Sequence, residues 1–182
     1  MARLPNLNRD QLKPEDQKFF DAIAHSRGGV RGPYGVILHS PDLAARVAHT
    51  GSYVRYNLDL PEALHEAIIL AITREIKRQY GFVAHARLAR QAGLSEEIIK
   101  AIAQGTVPQG LSGDKEKLVR YVQELLRHHK ISDATFNAVR DRFGMQKTLE
   151  IRGFVGHYLF VGQILAAFDV DLPAGAQPEI PD

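Results

Sequence analysis

The chain has no cysteine and no tryptophan among its 182 residues, and only two methionines. Without cysteine there are no disulfides, no thiolate nucleophiles and no Cys-ligated zinc or iron–sulfur sites. Long hydrophobic runs are missing too: nothing approaches the ~18 consecutive apolar residues of a membrane span. The N-terminal stretch "MARLPNLNRDQLKPEDQ" carries no apolar core of a secretory signal. Neither sign of charge dominates, since 23 Lys and Arg face 21 Asp and Glu for a formal charge of +2. The basic residues are scattered, without a stripe of interleaved aromatics, which argues against nucleic acid and against an anionic membrane as partners. The expectation is a cytoplasmic, soluble protein with one domain over residues 1–182, an irregular arm over 1–13 and an irregular tail over 173–182.

What is present is helical periodicity. No segment alternates as a strand does and no internal repeat stands out, so the fold class is all-α, a bundle of about six to eight helices. Pro14 and Glu15 open a helix that buries Phe19, Phe20, Ile23 and Ala24 and that "SRGG" ends. "VRGPYGVILHSP" reads as a loop. Ser40 and Pro41 start a helix burying Leu43, Ala44 and Val47. Pro61 opens "PEALHEAIILAITREIK", with Leu64, Ala67, Ile68, Ala71 and Ile72 at helical spacing. A helix closed by Gly93 follows, then a short one from Ser95, a loop "GTVPQGLSGD", an amphipathic helix over 114–129 and one over 133–143 capped by Ser132. The last helix, 146–168, is apolar on nearly every side. It is therefore predicted to be buried all round, as a central helix or in a subunit interface.

One stretch departs from this regularity: "REIKRQYGFVAHARLARQAG", residues 74–93, places a polar cluster inside apolar helical sequence. Arg78, Gly81 and His85 fall on one stripe of a helix. Glu66 precedes His85 by nineteen residues, roughly 28 Å on a straight helix. The two meet only if the chain turns back between them or if a second subunit intervenes. Lys77-Arg78-Gln79 is the natural break, with Gly81 easing the backbone.

The spacing Glu66-x11-Arg78-x2-Gly81-x3-His85 resembles the signature of the carboxymuconolactone decarboxylase and alkylhydroperoxidase D superfamily. "GPYGVILHSPDLAARV", "QYGFVAHARLARQAGL" and "LEIRGFVGHYLFVGQILAAFDVDLP" are similar to further segments of that family, so the resemblance spans about residues 30 to 173. It implies an all-helical fold and a homo-oligomer (dimer, trimer or hexamer) with sites near subunit contacts. The peroxidase branch carries cysteines where this chain has Arg78 and Gly81, so its thiol chemistry is closed here. Gly81 also stands where decarboxylase-like members commonly have a glutamate.

The resemblance and the residue chemistry together point to a cofactor-free lyase acting on a small carboxylated lactone or oxo-acid. His85 suits proton transfer near neutrality, and Glu66 suits orienting it. Arg78 presents a planar fork to a carboxylate. Tyr80 can donate to an oxyanion. Tyr34, His39 and His157, in family-like segments, are candidates for lining the substrate pocket. No cofactor and no metal are expected: His128 and His129 of "RHHK" diverge on a helix end, where cations are favourable without any ligand role. The same groups would serve an isomerase or hydro-lyase. The competing class is a non-catalytic ligand-binding or scaffold oligomer that kept the fold.

Overall fold

The computed structural model describes residues 2–107, 111, 113–173 and 175–181. Among these it contains eight α-helices and no strand: α1 Gln17–Arg27, α2 Pro33–Ile37, α3 Pro41–Ser52, α4 Glu62–Glu75, α5 Gln79–Gln91, α6 Glu96–Ala103, α7 Asp114–His128 and α8 Asp133–Ala167. The segment expected to be a loop at "VRGPYGVILHSP" holds the short helix α2, begun by Pro33 at its first position. The predicted loop over 105–114 lies partly outside the described residues. Ser95 and Ser132 each accept a backbone hydrogen bond from the residue three on, Ile98 and Thr135, and so start α6 and α8.

The helix buried on every side is α4, not α8. Ten consecutive residues from Leu64 to Thr73 are buried, because α4 is packed against α5, α6, α7 and α8 together. In α8, Gly144 breaks the helical backbone with φ 82°. Beyond it the helix buries Ile151, Phe154, Val155, Val161 and Leu165, but Leu149 is 71% exposed and Met145 and Phe160 are also exposed. α8 is thus not the central helix: one face of it meets no other described part of its own chain, which leaves the expected alternative of a subunit interface. Among the described residues no helix is long and apolar enough to cross a membrane.

Two apolar cores result. The larger surrounds α4; the smaller joins α1, α2 and α3, with Val161 of α8 reaching into it. The arm and tail are non-helical apart from a short 3-10 turn, and both are tied down. Arg3 N–H donates to the Phe168 carbonyl at 2.8 Å. The Gln79 carboxamide accepts from the backbone N–H groups of Glu179 and Ile180, each at 3.0 Å, and Ile180 is buried in the larger core.

The reversal between α4 and α5 occurs where the polar run predicts it, through a different residue. Lys77 takes the left-handed conformation, φ 52°, while Gly81 has no positive φ. Gly81 is instead required by space: a Cβ there would stand 2.7 Å from Thr73 Cγ2 across the α4–α5 contact. A β-branched residue is poorly tolerated at positive φ. Lys77→Val is therefore expected to lower the unfolding free energy by about 1–2 kcal/mol, with Lys77→Gly costing nothing measurable; urea unfolding midpoints of the two variants check this.

Candidate functional site

Glu66 sits in α4 with its side chain wholly removed from solvent. A lone carboxylate at such a place would be prohibitively costly, so its two oxygens must be engaged. Because α5 folds back along α4, His85 lies beside it, and His85 Nδ1 is 2.9 Å from Glu66 Oε2. A carboxylate only accepts, so Nδ1 carries the proton, leaving Nε2 as the ring's other nitrogen. The second oxygen, Oε1, accepts from Arg55 Nη2 at 2.7 Å. Arg55 comes from a π-helical segment, Tyr53–Asn57, that continues α3. Such segments are rare and concentrate at functional sites. Burial opposes the Arg55 charge, but the hydrogen bond to Glu62 and the charges of Glu66 and Glu62 outweigh it and favour the guanidinium. Tyr158 of α8 closes the group, its ring edge-on to His85 at 5.6 Å between centroids. Burial first, and then the neighbouring Glu66 charge, push its phenol above the ordinary range, so it stays protonated.

His85 faces a cavity of about 390 Å³ that opens along the seam between the two cores. A volume of this size suits a small organic molecule. Four arginines line it, Arg27, Arg31, Arg55 and Arg78, together with His85 and His157, and among the described residues no Asp or Glu does. Arg55 is paired with Glu62 and Glu66, and Glu66 also holds His85. The cavity is therefore electropositive and suited to an anion. His157 adds hydrogen-bonding capacity rather than charge: burial, and then Arg27, push its pKa down to about 4. Burial likewise raises the Tyr34 and Tyr80 phenols, which remain donors.

Of the residues singled out in the sequence, Tyr34, Arg78, Tyr80, His85 and His157 line this cavity, and Glu66 stands directly behind His85. His39 does not belong with them. It is exposed at the end of α2, its Nε2 3.0 Å from the Pro5 carbonyl oxygen, where it fastens the N-terminal arm. Its reach into the pocket is lost because α2 ends at Ile37 and the chain turns outward before α3. Among the described residues no group of three or more His, Asp or Glu is arranged to hold a metal. Sequence reasoning missed Arg27, Arg55 and Tyr158. Arg27 looked like part of a helix stop, and Arg55 lies outside any regular helical register. Tyr158 was adjacent to a residue that was noticed; a phenol flanking His157 on a helix was the available signal.

Comparison with known proteins bears on this arrangement. Residues 41–124 match the model of the carboxymuconolactone decarboxylase family. A solved alkylhydroperoxidase AhpD core structure, a peroxidase-related protein from Ralstonia eutropha JMP134, superposes with a TM-score of 0.76 over 95% of this chain and 93% of its own, at 13% identity. The match to the family model thus spans a little under half of the chain, and the fold is shared with the AhpD core structure over nearly all of it. A second peroxidase-related member, from Silicibacter sp. TM1040, superposes at a TM-score of 0.74 with 16% identity, covering 95% of this chain and 92% of that one. The debrominase Bmp8, solved with 2,3,4-tribromopyrrole bound in a variant whose cysteine is replaced by alanine, gives 0.74 at 14% identity, with 96% and 95% covered. Identities this low establish the shared fold. No curated protein matches the chain by sequence. The chain itself has no cysteine, and Arg78 and Gly81 stand at the two positions where the resembling signature has them.

The buried histidine has a pH consequence. The folded-state value of about 4 for His157 lies below its ordinary 6.5. Folding thus favours the neutral ring, and this stabilisation is complete above pH 6.5 and lost as pH falls toward 4. His157→Gln is expected to flatten the decline of unfolding free energy between those pH values by about 1–3 kcal/mol. Parallel urea titrations at pH 7 and pH 4.5 measure it; equal declines in both proteins would contradict a buried neutral ring.

Proposed function

We propose that this chain is a cofactor-free lyase of the carboxymuconolactone decarboxylase type, acting on a small carboxylated lactone or oxo-acid. The observation that carries the reading is the Arg55–Glu66–His85 relay opening on a cavity lined by arginines and by no carboxylate. Loss of CO₂ without a cofactor requires the substrate to contain its own electron sink. The bond between the carboxylate carbon and its neighbour breaks, and its electron pair moves into the conjugated carbonyl as an enolate. A proton must then be delivered to carbon. With the ring in its imidazolium form, protonated on both nitrogens, His85 is suited to give the Nε2 proton to carbon and return to the neutral ring, while Nδ1–H stays on Glu66 and fixes the orientation. Arg78, at the start of α5, is suited to hold the departing carboxylate so that the breaking bond aligns with the conjugated system. Tyr80 is suited to donate to the developing enolate oxygen.

The superfamily's thiol reaction is not available to a chain without cysteine. The two relatives with peroxidase-related names and the debrominase therefore lend their fold and not their reaction. The same relay would serve an isomerase or a hydro-lyase, and the decarboxylase reading is preferred because of the family matched. We also propose that the enzyme is a cytoplasmic homo-oligomer. The exposed Tyr53, Tyr56, Met145, Leu149 and Phe160 support a second copy as partner.

The test is a panel of carboxylactones and oxo-acids followed for CO₂ release and ultraviolet change. With an active substrate, His85→Ala is expected to lower kcat by about 100-fold or more, and Arg78→Ala to act on KM as well as kcat. Binding of such acids with no turnover anywhere in the panel would favour a ligand-binding oligomer that kept the fold. Turnover unchanged by His85→Ala would remove the proposed proton donor.

A further inference from the structure

Gln79 is the first residue of α5 and stands between Arg78 and Tyr80, both of which line the cavity. Its own side chain is engaged elsewhere, by the end of the tail. The carboxamide oxygen accepts from the backbone N–H groups of Glu179 and Ile180, each at 3.0 Å, and its NH2 group donates back to the Ile180 carbonyl at 2.5 Å. One side chain thus meets the tail backbone with donor and acceptor together, as a peptide group would. Ile180 is buried in the larger core, which seats this end of the tail by apolar packing as well. Glu179 reaches along α5 to Arg90 in its last turn, with Oε2 2.8 Å from Arg90 Nη2. Two tail residues therefore tie down both ends of α5.

This attachment matters because packing alone does not fix the turn before α5. A second cavity of about 230 Å³ lies against it, with residues 77–80 on one side and Asp169, Val170 and Leu172 on the other. Side chains along a cavity have no close-packed protein neighbour on that side, so they have room to shift. The head group of Arg78 is not pinned either, since its Nε is buried without a hydrogen-bond partner. What holds Arg78 is its backbone N–H, donated to the Thr73 carbonyl at 2.8 Å, and its stem, which passes close to Gly162 of α8: a Cβ there would stand 3.5 Å from Arg78 Cγ. The direction of the Arg78 and Tyr80 side chains is therefore set by the backbone of the turn, and Gln79 fastens that backbone on the tail side. We propose that Gln79 is a positioning residue: seated on Glu179 and Ile180, it holds the first turn of α5 so that Arg78 and Tyr80 present their polar groups to the cavity together. The inference rests on the lyase reading for what those two groups then do. A carboxylate must be held and an enolate oxygen met in the same transition state, and a displacement of about 1 Å in either group costs rate.

A merely structural Gln79 would act on stability alone; a positioning Gln79 acts through Arg78. A double-variant cycle separates the two, with benzoate as the probe and titration calorimetry as the readout, on the wild type, Gln79→Ala, Arg78→Ala and the pair. Gln79→Ala is expected to weaken benzoate about fivefold in the wild type and by less than about twofold where Arg78 is already replaced. Ile180→Asp unseats the tail without touching the turn and is expected to reproduce the loss, while Ile180→Val leaves the affinity within about twofold. Amide hydrogen exchange over residues 77–82 is expected to rise about tenfold or more in Gln79→Ala and Ile180→Asp, with residues 66–72 unchanged. If Ile180→Asp does not fold, as judged by circular dichroism, Gln79→Ala decides, because Gln79 is only half-buried. Equal losses with and without Arg78, unchanged exchange over 77–82, or a wild type that does not bind benzoate overturns the positioning role. If the coupling appears and no acid in the panel releases CO₂, the lyase reading falls and the role of Gln79 stands; turnover with uncoupled losses gives the reverse.

Discussion

A carboxylate placed where water cannot reach it governs this structure. Glu66 is fully buried in the most enclosed helix of the bundle, and it is tolerable there only because Arg55 and His85 occupy one oxygen each. Breaking such an arrangement from one side typically costs about 3–5 kcal/mol, since it strands a charge in a low-dielectric core. The constraint explains local features that otherwise look arbitrary. The chain after α3 continues as a π-helical segment, which delivers Arg55 to Glu66, and the α4–α5 connection turns tightly enough to lay His85 over the same carboxylate. A left-handed lysine is accepted at the turn, where a modest local strain is offset by a buried charge network. Stability and the candidate chemistry therefore depend on the same three side chains.

Around that network Arg78 and Gly81 stand at the two positions where the resembling signature has thiols, beside the same acid and imidazole. Gly81 has no room for a side chain unless Thr73 moves, and Thr73 is itself fixed by donating its hydroxyl to the Ile69 carbonyl at 2.8 Å. A second thiol could not simply be restored there. Arg78 meanwhile lines the cavity, with its Nε buried and without a hydrogen-bond partner.

Much of the architecture was legible in the sequence because it rests on local rules. Helical spacing, Ser at N-caps, Pro at first turns and Gly at ends mark most of the helices to within a few residues. The joining of Glu66 to His85 was also readable, since nineteen residues with a polar break between two apolar helices leave few other ways to bring the two together. Other features depended on tertiary context. Burial of α4 on every side, with exposure of one face of α8, reverses what their compositions suggest: α8 is the more apolar to the eye, yet α4 has four helices around it. Arg27 and Arg55 carry no periodic signal, because a helix terminus and a π-helical turn place them in the cavity and not a repeat. His39 shared a family-like segment with Tyr34, but five residues of separation and a helix end send it to the surface.

The position of the cavity follows from the division of the core. Only where the α4-centred core meets the smaller α1–α3 core can side chains from five or six elements point at one volume without crossing a packed layer. Arg27 Nε, Arg55 Nη1 and Arg78 Nε are buried there without hydrogen-bond partners. Arg55 is paired with Glu62 and Glu66, but Arg27, Arg31 and Arg78 line the same space with no carboxylate among the described lining residues, so an acidic ligand would relieve their mutual repulsion. Ligand binding and folding are then thermodynamically coupled, with about 2.7 kcal/mol of added stability at a hundredfold excess over the dissociation constant. The same repulsion disfavours neutral or cationic guests, which would leave it in place. A preference for acids, on the proposed reading, would in this way follow from the charge imbalance of the whole cavity and not from any one arginine.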